Sequence, residues 1–371
     1  MEQKKQRGVG NMVIKTIKIE TDEITNELSQ SFDYKFDGNS QFEVPKIPNL
    51  PTEFGIGLIV GASGSGKSSM LEQFGKEKTI NWDQNKAICS HFQSANEAQE
   101  KLSAVGFNTV PSWMRPYHVL STGEKFRADL AMRLENNAVI DEFTSVVDRN
   151  VAKSCSYALR RYVDKSNLQN IILATCHYDI IEWLQPDWVY DTATNRLTVG
   201  RGSVRRPTIE LEIIPCSTQA WSIFRNHHYL SADINKSSRC WFAVWEGTLV
   251  GFTAVITLPS GSLKNAWKGH RTVILPDFQG LGLGVRISDA IGEIFIKNGW
   301  RYFSKTAHVR LGEYRNSKKS WRPTTHNMEN RARQYKKSIK DKQNTFYSKT
   351  LMEKHSERIC YCHEYIGEKW I

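Results

Sequence analysis

The chain has 371 residues, of which 40% are apolar and 24% are charged, which is typical of a folded protein and excludes a mostly disordered chain. Domains usually contain about 100–200 residues, so the length predicts two domains. The longest apolar stretch, residues 54–62, is far shorter than the ~20 residues that cross a bilayer. The basic start of the chain lacks the apolar segment of a signal peptide, and seven scattered cysteines do not indicate a disulfide framework. We therefore expect a cytoplasmic protein without a membrane segment.

Charge is distributed unevenly between the two halves of the chain. Residues 1–200 contain 22 Lys and Arg and 25 Asp and Glu, a net charge of −3, whereas residues 201–371 contain 28 and 14, a net charge of +14. Residues 301–350 alone contain 14 basic and 3 acidic side chains. The asymmetry indicates that the second half binds a polyanion, and the alternative is a basic surface without a partner.

In the first half, strand-like and helix-like patterns alternate. Apolar strand patterns occupy residues 12–19, 57–60, 138–140 and 171–175, and helical patterns occupy residues 67–74, 124–134 and 150–163. This alternation predicts an α/β domain with helices packed on a central sheet. The segment 198–207 is basic and rich in glycine and ends in proline, which is typical of a linker. The predicted division is a first domain over 1–200, a linker over 201–207 and a second domain over 208–371.

Residues 61–68, Gly-Ala-Ser-Gly-Ser-Gly-Lys-Ser, fit the phosphate-loop pattern G-x-x-x-x-G-K-[ST] without a mismatch. The pattern follows an apolar strand and begins a helical stretch, so backbone N–H groups and the helix N-terminus can surround phosphate oxygens. Lys67 is expected to reach the β- and γ-phosphates, and the Ser68 hydroxyl is expected to ligate Mg²⁺. The ATP-binding residues predicted in and after this loop are Gly61, Ala62, Ser63, Gly64, Ser65, Gly66, Lys67, Ser68 and Ser69.

Further motifs follow in an order that resembles the ABC-type ATPases. Gln93 lies where the Q-loop glutamine of that family is found, and residues 120–125 resemble its signature motif. An apolar strand ends in Asp-Glu over 138–142, as in a Walker B motif, and residues 145–148 resemble the D-loop. Another apolar strand ends at His177, the position of the switch histidine. The first domain is therefore predicted to be a P-loop ABC-type ATPase domain.

The resemblance implies ATP hydrolysis with Mg²⁺. The implied metal ligands are Ser68, Gln93 and Asp141. By the same resemblance Glu142 polarises the attacking water and His177 contacts the γ-phosphate, so both are predicted to be catalytic. Only 55 residues separate the lysine of the first motif from the signature glycine, which implies a reduced helical subdomain.

The resemblance also implies a head-to-tail homodimer. In this family the signature residues, here Ser121 and Gly123, act on ATP that is held by the other subunit, and Asp148 of the D-loop contributes to the same site. The signature helix N-terminus would supply a second positive pole for the phosphates. Tyr34 or Phe36 could stack on adenine or could equally belong to the core.

The second half begins a new series of elements. Strand patterns occupy residues 208–215, 239–245, 249–258, 271–275, 300–305 and 358–367, and an amphipathic helix pattern occupies residues 285–297. A turn signal over 246–248 predicts a hairpin between two of these strands. The pattern predicts an α+β domain with a mixed sheet.

Residues 279–284, Gln-Gly-Leu-Gly-Leu-Gly, stand between the strand at 271–275 and the helix. A dinucleotide-binding unit is the alternative, but the next strand ends in Ser-Lys and lacks the acidic residue of that unit. The segment instead resembles motif A of the GNAT acetyltransferases, which implies binding of acetyl-CoA by backbone N–H groups. The implied coenzyme A residues are Gln279, Gly280, Leu281, Gly282, Leu283, Gly284 and Val285.

Other short segments of this half resemble the Mom-like GNAT proteins of phages. They are residues 227–231, 304–308, 314–315, 321–323 and 358–367. Members of that group modify adenine bases in DNA and so mask restriction sites. The resemblance implies DNA as a partner and a role in antirestriction.

Basic and aromatic side chains alternate after residue 309, as a surface that binds phosphates and bases requires. A solvated basic helix is the alternative. The predicted nucleic-acid-binding residues are Arg310, Arg315, Lys318, Lys319, Trp321, Arg322, Arg331, Arg333, Lys336 and Lys337.

Candidates for acyl-transfer chemistry lie near the predicted acceptor side. His228, or Ser304 with His308, could accept the proton of an attacking amine, and Tyr314 could protonate the leaving thiolate. A structural role for each histidine is the alternative. Residues 360–363, Cys-Tyr-Cys-His, invite a zinc interpretation, but no second pair of ligands stands at the spacing of a metal finger.

The leading hypothesis is an ATP-hydrolysing enzyme whose second domain modifies a DNA base, with the ATPase dimer loading or gating it on DNA. One alternative is an N-acetyltransferase of protein or small-molecule amines with a regulatory ATPase. The other is a DNA-binding ATPase with an inactive GNAT fold.

Overall fold

The computed structural model describes residues 12–45, 50–201, 207–228, 233–261, 263–330 and 359–367. These described residues divide into two compact units, the first drawn from positions up to 108 and from 112–207, and the second from 109–111 and from positions after 207. Most of the predicted linker lies outside the described residues. No helix in the described ranges is long and apolar enough to cross a membrane.

The first stretch of the chain alternates strands and helices. Its elements are β1 (Met12–Lys18), α1 (Glu23–Ser31), β2 (Asn39–Pro45), β3 (Ile56–Val60), α2 (Lys67–Leu71), α3 (Ala95–Ala104), α4 (Val110–Trp113), α5 (Thr122–Arg133), β4 (Val139–Ile140), α6 (Arg149–Ser166), β5 (Ile171–Thr175), α7 (Ile181–Leu184), β6 (Trp188–Asp191) and β7 (Arg196–Val199).

The central sheet of the first unit has the strand order β4-β5-β3-β6-β7. The first four strands are parallel, and β7 returns antiparallel to β6. Every residue of β3 and β5 is buried, as expected for strands covered on both faces by helices. Because the strands are parallel, the loops after β3, β4, β5 and β6 leave the same edge of the sheet.

The N-terminal segment forms a separate two-stranded antiparallel sheet of β1 and β2, with α1 between them. The sequence analysis did not predict α1. The signal was Asp22, which caps the helix in a reciprocal capping box with Thr25. The helix predicted over 67–74 is shorter than expected and ends at Leu71.

The second unit is built around one large sheet. Its elements are β8 (Glu212–Cys216), α8 (Trp221–Phe224), β9 (Arg239–Trp245), β10 (Thr248–Thr257), β11 (Ala266–Ile274), α9 (Leu283–Lys297), β12 (Arg301–Thr306), α10 (Val309–Ser317), β13 (Trp321–Pro323), β14 (Glu329–Asn330) and β15 (Ile359–Tyr365).

The strand order of this sheet is β13-β15-β12-β11-β10-β9-β8, with β14 pairing to β15. All pairs are antiparallel except β11 with β12, so the sheet is mixed. The predicted α/β class with a mixed second sheet is therefore confirmed. The parallel pair is short, because only residues 266–268 are matched with 301–303, and the two strands separate beyond that point.

A bulge interrupts β11 just where it leaves β12. Ala254 pairs with Arg271 and Val255 pairs with Gly269, so His270 is an extra residue on β11. A glycine inside a strand commonly marks such a bulge. The strand begins at Ala266, five residues before the predicted start at Arg271. The prediction placed the start too late because the bulge breaks the alternation of apolar residues.

Candidate functional site

The loop over 61–68 joins β3 to α2 at the edge where the parallel strands end. Gly64 and Gly66 have φ values of +77° and +83°, a conformation that glycine adopts without steric cost. Lys67 is buried, and its Nζ donates to the carbonyl oxygens of Gly61, at 2.9 Å, and Ala62, at 2.7 Å. The ammonium group is thereby held across the loop, where a phosphate would lie.

The remaining loop residues are placed as a triphosphate site requires. Ala62, Ser63 and Gly64 are exposed, Ser65 accepts a hydrogen bond from Thr192 Oγ1 at 2.8 Å, and the Ser68 side chain is exposed in the first turn of α2 while Ser69 is half-buried. No side chain caps the N-terminus of α2. Free N–H groups, an exposed hydroxyl and a fixed ammonium fit ATP and Mg²⁺.

An aromatic side chain that the sequence analysis did not single out lies beside this loop. A Cβ atom at Gly66 would overlap the ring of Phe42 on β2. Phe42 is 38% exposed, whereas Tyr34, which the sequence analysis considered, is 66% exposed and lies on the turn after α1. The signal for Phe42 was its place in the short run of alternating polarity that forms β2, about twenty residues before the loop.

The predicted hydrolytic residues follow β4 and β5, next to the loop strand. The backbone N–H of Phe143 donates to Ala174 of β5 at 2.8 Å, and Thr144 Oγ1 lies 3.2 Å from His177 Nδ1. Glu142 has a φ of +48°, a left-handed conformation that costs a non-glycine residue on the order of 1 kcal/mol. The fold thus keeps Glu142, with an exposed side chain, in an unfavourable backbone conformation at this edge.

Asp141 and His177 have distinct electrostatic surroundings. Asp141 is half-buried, its Oδ1 accepts from the Glu142 N–H at 2.8 Å, and its own N–H donates to Glu77 at 3.3 Å. Partial burial, and then the charge of Arg149, lower the pKa of His177, which favours the neutral ring at pH 7.

The signature and D-loop residues begin helices. Ser121 is the N-cap of α5 and forms a reciprocal capping box with Glu124. Asp148 is the N-cap of α6 and accepts from two backbone N–H groups. Gly123 lies in the first turn of α5, and the Gln93 side chain is exposed ahead of α3. Local capping therefore positions Ser121 and Asp148, and Gly123 follows Ser121 in the same helix turn.

The second glycine-rich loop connects β11 to α9. Gly280 and Gly282 have φ values of +100° and +77°, and Gly282 is the N-cap of α9 without a side-chain hydrogen bond. Leu281 and Leu283 are buried and anchor the loop, and Gln279 Nε2 donates to the carbonyl of Ile274 at 3.0 Å. The uncapped N–H groups over 282–285 at the start of a 15-residue helix fit the diphosphate of coenzyme A.

Three predicted acyl-transfer residues lie on β12 and α10. Ser304 is buried on β12. His308 is the N-cap of α10, its Nδ1 accepts from the Leu311 N–H at 3.4 Å, and burial lowers its pKa. Tyr314 donates its hydroxyl proton to Asp289 at 2.6 Å. Because Nδ1 accepts, the proton of the neutral His308 ring lies on Nε2, so the ring could accept an amine proton only after Nδ1 releases the Leu311 N–H. Tyr314 would likewise have to leave Asp289 to protonate a thiolate.

The histidines on the other side of β11 are a separate group. His228 packs edge-on against Trp221, with ring centroids 5.6 Å apart. His270, the bulge residue, was not predicted; its Nε2 accepts from the Asn235 N–H at 3.2 Å. Burial, followed by the charges of neighbouring basic residues, lowers the pKa of His270 to about 4, so its ring is neutral at pH 7.

Two predicted nucleic-acid contacts are wrong. Arg315 and Trp321 are each 3% exposed, and the guanidinium carbon lies 4.6 Å from the Trp321 ring centroid inside the unit. Neither side chain can contact a phosphate or a base. The spacing of residues in the sequence does not distinguish these two buried side chains from their exposed neighbours.

The other predicted contacts fall into two sets. Lys318, Lys319 and Arg322 are exposed and Arg310 is half-buried, although Arg322 also pairs with Glu364 at 2.6 Å. Outside the described residues lie Arg331, Arg333, Lys336 and Lys337.

The cysteines that invited a zinc interpretation are buried on β15. Cys360 and Cys362 are each less than 9% exposed, and His363 is fully buried. Within the described ranges, no group of three or more His, Cys, Asp or Glu side chains is arranged to hold a metal ion.

His363 gives the second unit a pH-dependent stability. Burial, together with the charge of Arg315, lowers its folded-state pKa to about 4 from an ordinary 6.5. The folded state therefore binds fewer protons than the unfolded state between these values, so the free energy of unfolding falls as pH drops from about 6.5 to about 4. In urea unfolding followed by tryptophan fluorescence at pH 7 and pH 5, His363→Gln should show a smaller fall than the unaltered chain. The exposed-site variant His326→Gln should match the unaltered chain, and an equal fall in His363→Gln would contradict the assignment.

Residues 207–312 match the model of the Acetyltransferase (GNAT) family. The chain therefore carries a GNAT acetyltransferase domain in its C-terminal half. No curated protein sequence matches the chain significantly.

Solved structures resemble each half of the chain at low identity. The dimeric structure of a bacterial ABC transporter cassette is 15% identical, with a TM-score of 0.34, over 44% of this chain and 93% of that one. A Bacillus subtilis acetyltransferase in complex with CoA is 13% identical, with a TM-score of 0.30, over 43% of this chain and 98% of that one. An IAA acetyltransferase from Bacillus cereus is 13% identical, with a TM-score of 0.28, over 42% of this chain and 99% of that one.

Proposed function

We propose that the protein modifies an amino group of a DNA base, most simply adenine, with an acyl group from a coenzyme A thioester, and that its first unit hydrolyses ATP to load or gate it on DNA. The observation that supports the proposal is the presence of two separate glycine-rich loops in one chain, each with the form of a phosphate-binding loop. Each loop pairs positive-φ glycines with an uncapped helix N-terminus, at Gly66 and at Gly282.

The acyl-transfer chemistry uses the point where β11 and β12 separate. The loop at the start of α9 would hold the diphosphate, which directs the thioester along the gap between the two strands. The amine nitrogen attacks the thioester carbonyl, a C–N bond forms and the C–S bond breaks. The nitrogen loses a proton and the thiolate gains one. The His308 ring takes the amine proton on Nδ1 once Nδ1 has released the Leu311 N–H, and the Tyr314 hydroxyl gives its proton to the thiolate once it has left Asp289.

In the first unit, the proposed roles follow from the shared sheet edge. Lys67 stabilises charge on the phosphates, and Ser68, Gln93 and Asp141 hold Mg²⁺, which neutralises phosphate charge when bound. Glu142 orients the attacking water, while the neutral ring of His177 contacts the γ-phosphate. The exposed face of Phe42 is a platform for adenine beside the loop.

Support for DNA as the acceptor comes from charge. The net charge of +14 over 201–371 and the exposed Lys318 and Lys319 favour a polyanion. Because Arg315 and Trp321 are buried, the described part of this surface is smaller than predicted. Analysis of the DNA itself is the direct test of the acceptor class.

Nucleoside mass spectrometry of DNA from cells that express the protein supplies that test. We expect a mass-shifted deoxyadenosine with the unaltered chain and its loss in Gly282→Asp and His308→Ala variants. Unmodified DNA, with coenzyme A release from an acyl thioester in the presence of protein or small-molecule amines, would instead establish an amine acetyltransferase. Unmodified DNA without any coenzyme A release would leave a DNA-binding ATPase.

Glu142→Gln should trap an ATP-bound homodimer. The amide keeps the size of the carboxylate but cannot polarise water, so ATP should remain sandwiched between two subunits while turnover falls by about 100-fold or more. Size-exclusion chromatography with light scattering, with and without Mg²⁺ and ATP, measures the change. The exposed-site variant Glu135→Gln should show the same oligomeric state and turnover as the unaltered chain. A Glu142→Gln chain that remains monomeric with ATP would contradict the predicted dimer.

A further inference from the structure

The half-buried side chain of Asp129, in the second half of α5, joins three segments of the first unit. Its Oδ1 accepts a hydrogen bond from Trp82 Nε1 at 2.7 Å, and its Oδ2 accepts from the Tyr117 hydroxyl at 2.6 Å. The Trp82 and Tyr117 rings are stacked, with centroids 5.0 Å apart and planes 9° apart. Hydrogen bonds to a carboxylate are stronger than bonds between neutral groups, so the three side chains form a well-defined unit, the Asp129 cluster.

Asp129 belongs to a stripe of polar side chains on one face of α5. Lys125, Asp129 and Arg133 are spaced four residues apart, so they share this face. The Lys125 ammonium lies 5.7 Å from the Tyr117 ring centroid. Arg133 Nη1 pairs with Glu77 Oε1 at 3.0 Å. The stripe therefore fastens α5 to other segments of the unit at three successive turns.

The segment that receives this stripe also contacts residues proposed to hold nucleotide and metal. Glu77 Oε1 accepts from the backbone N–H of Asp141 at 3.3 Å. Trp82 packs edge-on against His91, with ring centroids 4.8 Å apart, and His91 precedes Gln93 by two residues. The orientation of α5 is thus linked by side-chain contacts to Asp141 and to the loop of Gln93.

The signature residues lie at the other end of the same helix. Ser121 is the N-cap of α5 and Gly123 lies in its first turn. Because an α-helix is a regular rod, contacts at Asp129 and Arg133 set the direction in which its N-terminus points. In the proposed dimer this N-terminus meets the phosphates of ATP bound to the other subunit, where a misplacement of about 1 Å can cost ~100-fold.

We propose that Asp129 is a positioning residue for the ATPase, which holds α5 so that Ser121 and Gly123 reach the ATP bound by a second copy of the chain. This inference rests on the proposed dimer. Asp129 acts through Trp82 and Tyr117, whereas the loop for a chain's own ATP is positioned by β3 and α2. Loss of Asp129 should therefore weaken dimerisation while each chain still binds its own nucleotide.

The test uses the Glu142→Gln chain, in which ATP should hold two subunits together. Sedimentation velocity with Mg²⁺ and ATP gives the dimer dissociation constant. A fluorescent ATP analogue, at chain concentrations below that constant, gives the affinity of the single chain. Adding Asp129→Leu, which removes both acceptors at similar size, should weaken the dimer by about tenfold or more and leave single-chain affinity within about twofold. The exposed-site control Glu53→Leu should leave both constants unchanged.

The conservative variant Asp129→Asn separates position from charge. Its amide has the shape of the carboxylate, its oxygen can accept from Trp82, and its NH₂ group can donate to the Tyr117 oxygen. We therefore expect Asp129→Asn to restore the dimer dissociation constant to within about threefold of the Glu142→Gln chain.

A second variant keeps the inference testable if Asp129→Leu fails to fold. Tyr117→Phe keeps the stacked ring and removes one of the two hydrogen bonds, so it should weaken the dimer about threefold. An unchanged dimer constant in Asp129→Leu, or in Tyr117→Phe if the leucine variant does not fold, would overturn the inference. An equal loss of single-chain affinity would show a merely structural role and would also overturn it. A Glu142→Gln chain that does not dimerise with ATP would overturn the proposed dimer, and this inference with it.

Discussion

Replacing Lys67 by alanine is expected to reduce ATP hydrolysis by about 100- to 1000-fold, or about 3–4 kcal/mol of transition-state stabilisation. The Lys67 ammonium is buried and fixed by two carbonyl oxygens of its own loop, so it is already in place for the phosphates when ATP arrives. Alanine removes this charge, and the fixed loop around it has no other lysine or arginine over 61–68.

A coupled phosphate-release assay on purified protein measures this effect. Lys76→Ala removes an exposed lysine nine positions later in the same unit and should leave turnover unchanged. Turnover in Lys67→Ala within threefold of the unaltered chain would contradict the assignment of the loop. Circular dichroism at 222 nm should show equal helix content in all three proteins.

Replacing Gly282 by aspartate is expected to weaken acyl-CoA binding by at least 100-fold and to abolish transfer. Gly282 has a φ of +77° and supplies the N-cap of α9, where the diphosphate would meet free N–H groups. Aspartate would place a carboxylate against that diphosphate and could also cap the helix with its own oxygen, which removes the N–H groups from the site.

Calorimetry with acetyl-CoA on matched variants separates the effect of the aspartate charge on binding from the effect of the larger side chain. Gly282→Asn has nearly the same size and tolerates a left-handed backbone, so its loss should be clearly smaller than that of Gly282→Asp. Gly261→Asp introduces the same charge at an open position of the same unit and should bind as the unaltered chain does. Equal affinity in Gly282→Asp and the unaltered chain would place the coenzyme elsewhere.

Sequence patterns predicted the elements around both loops well. The strand before the phosphate loop was predicted over 57–60 and runs from Ile56 to Val60, and the helix predicted over 285–297 runs from Leu283 to Lys297. These elements have strong apolar periodicity and end in glycines, which are the clearest local signals. The conformations of the two loops depend on glycines within the loops themselves, so the sequence alone was enough to predict them.

Two elements with weak or interrupted sequence patterns were missed or misplaced. The helix α1 has no buried residue, and its only sequence signal was the capping pair. The strand β11 was predicted late because Gly269 and the extra residue His270 break its alternation. Register shifts of this kind depend on the partner strand, which a local pattern does not contain.

The buried cation is the main feature that sequence reasoning could not place. Arg315 lies in a basic, aromatic run, where the usual expectation is an exposed phosphate contact. The structure gives the reason for its burial. Gly312, one turn earlier on α10, has no room for a Cβ atom because the Tyr361 ring of β15 packs against it. Residues three apart share a helix face, so Arg315 faces the sheet as well.

The most direct measurement of the central claim, two independent phosphate-binding loops in one chain, is calorimetric titration of purified protein with both ligands. We expect one equivalent of acetyl-CoA and one equivalent of a non-hydrolysable ATP analogue with Mg²⁺ per chain, neither displacing the other. Lys67→Ala should weaken only the ATP analogue, and Gly282→Asp only the thioester. Failure of every thioester to bind a chain that still binds and hydrolyses ATP would contradict the account, and so would competition of both ligands for one site.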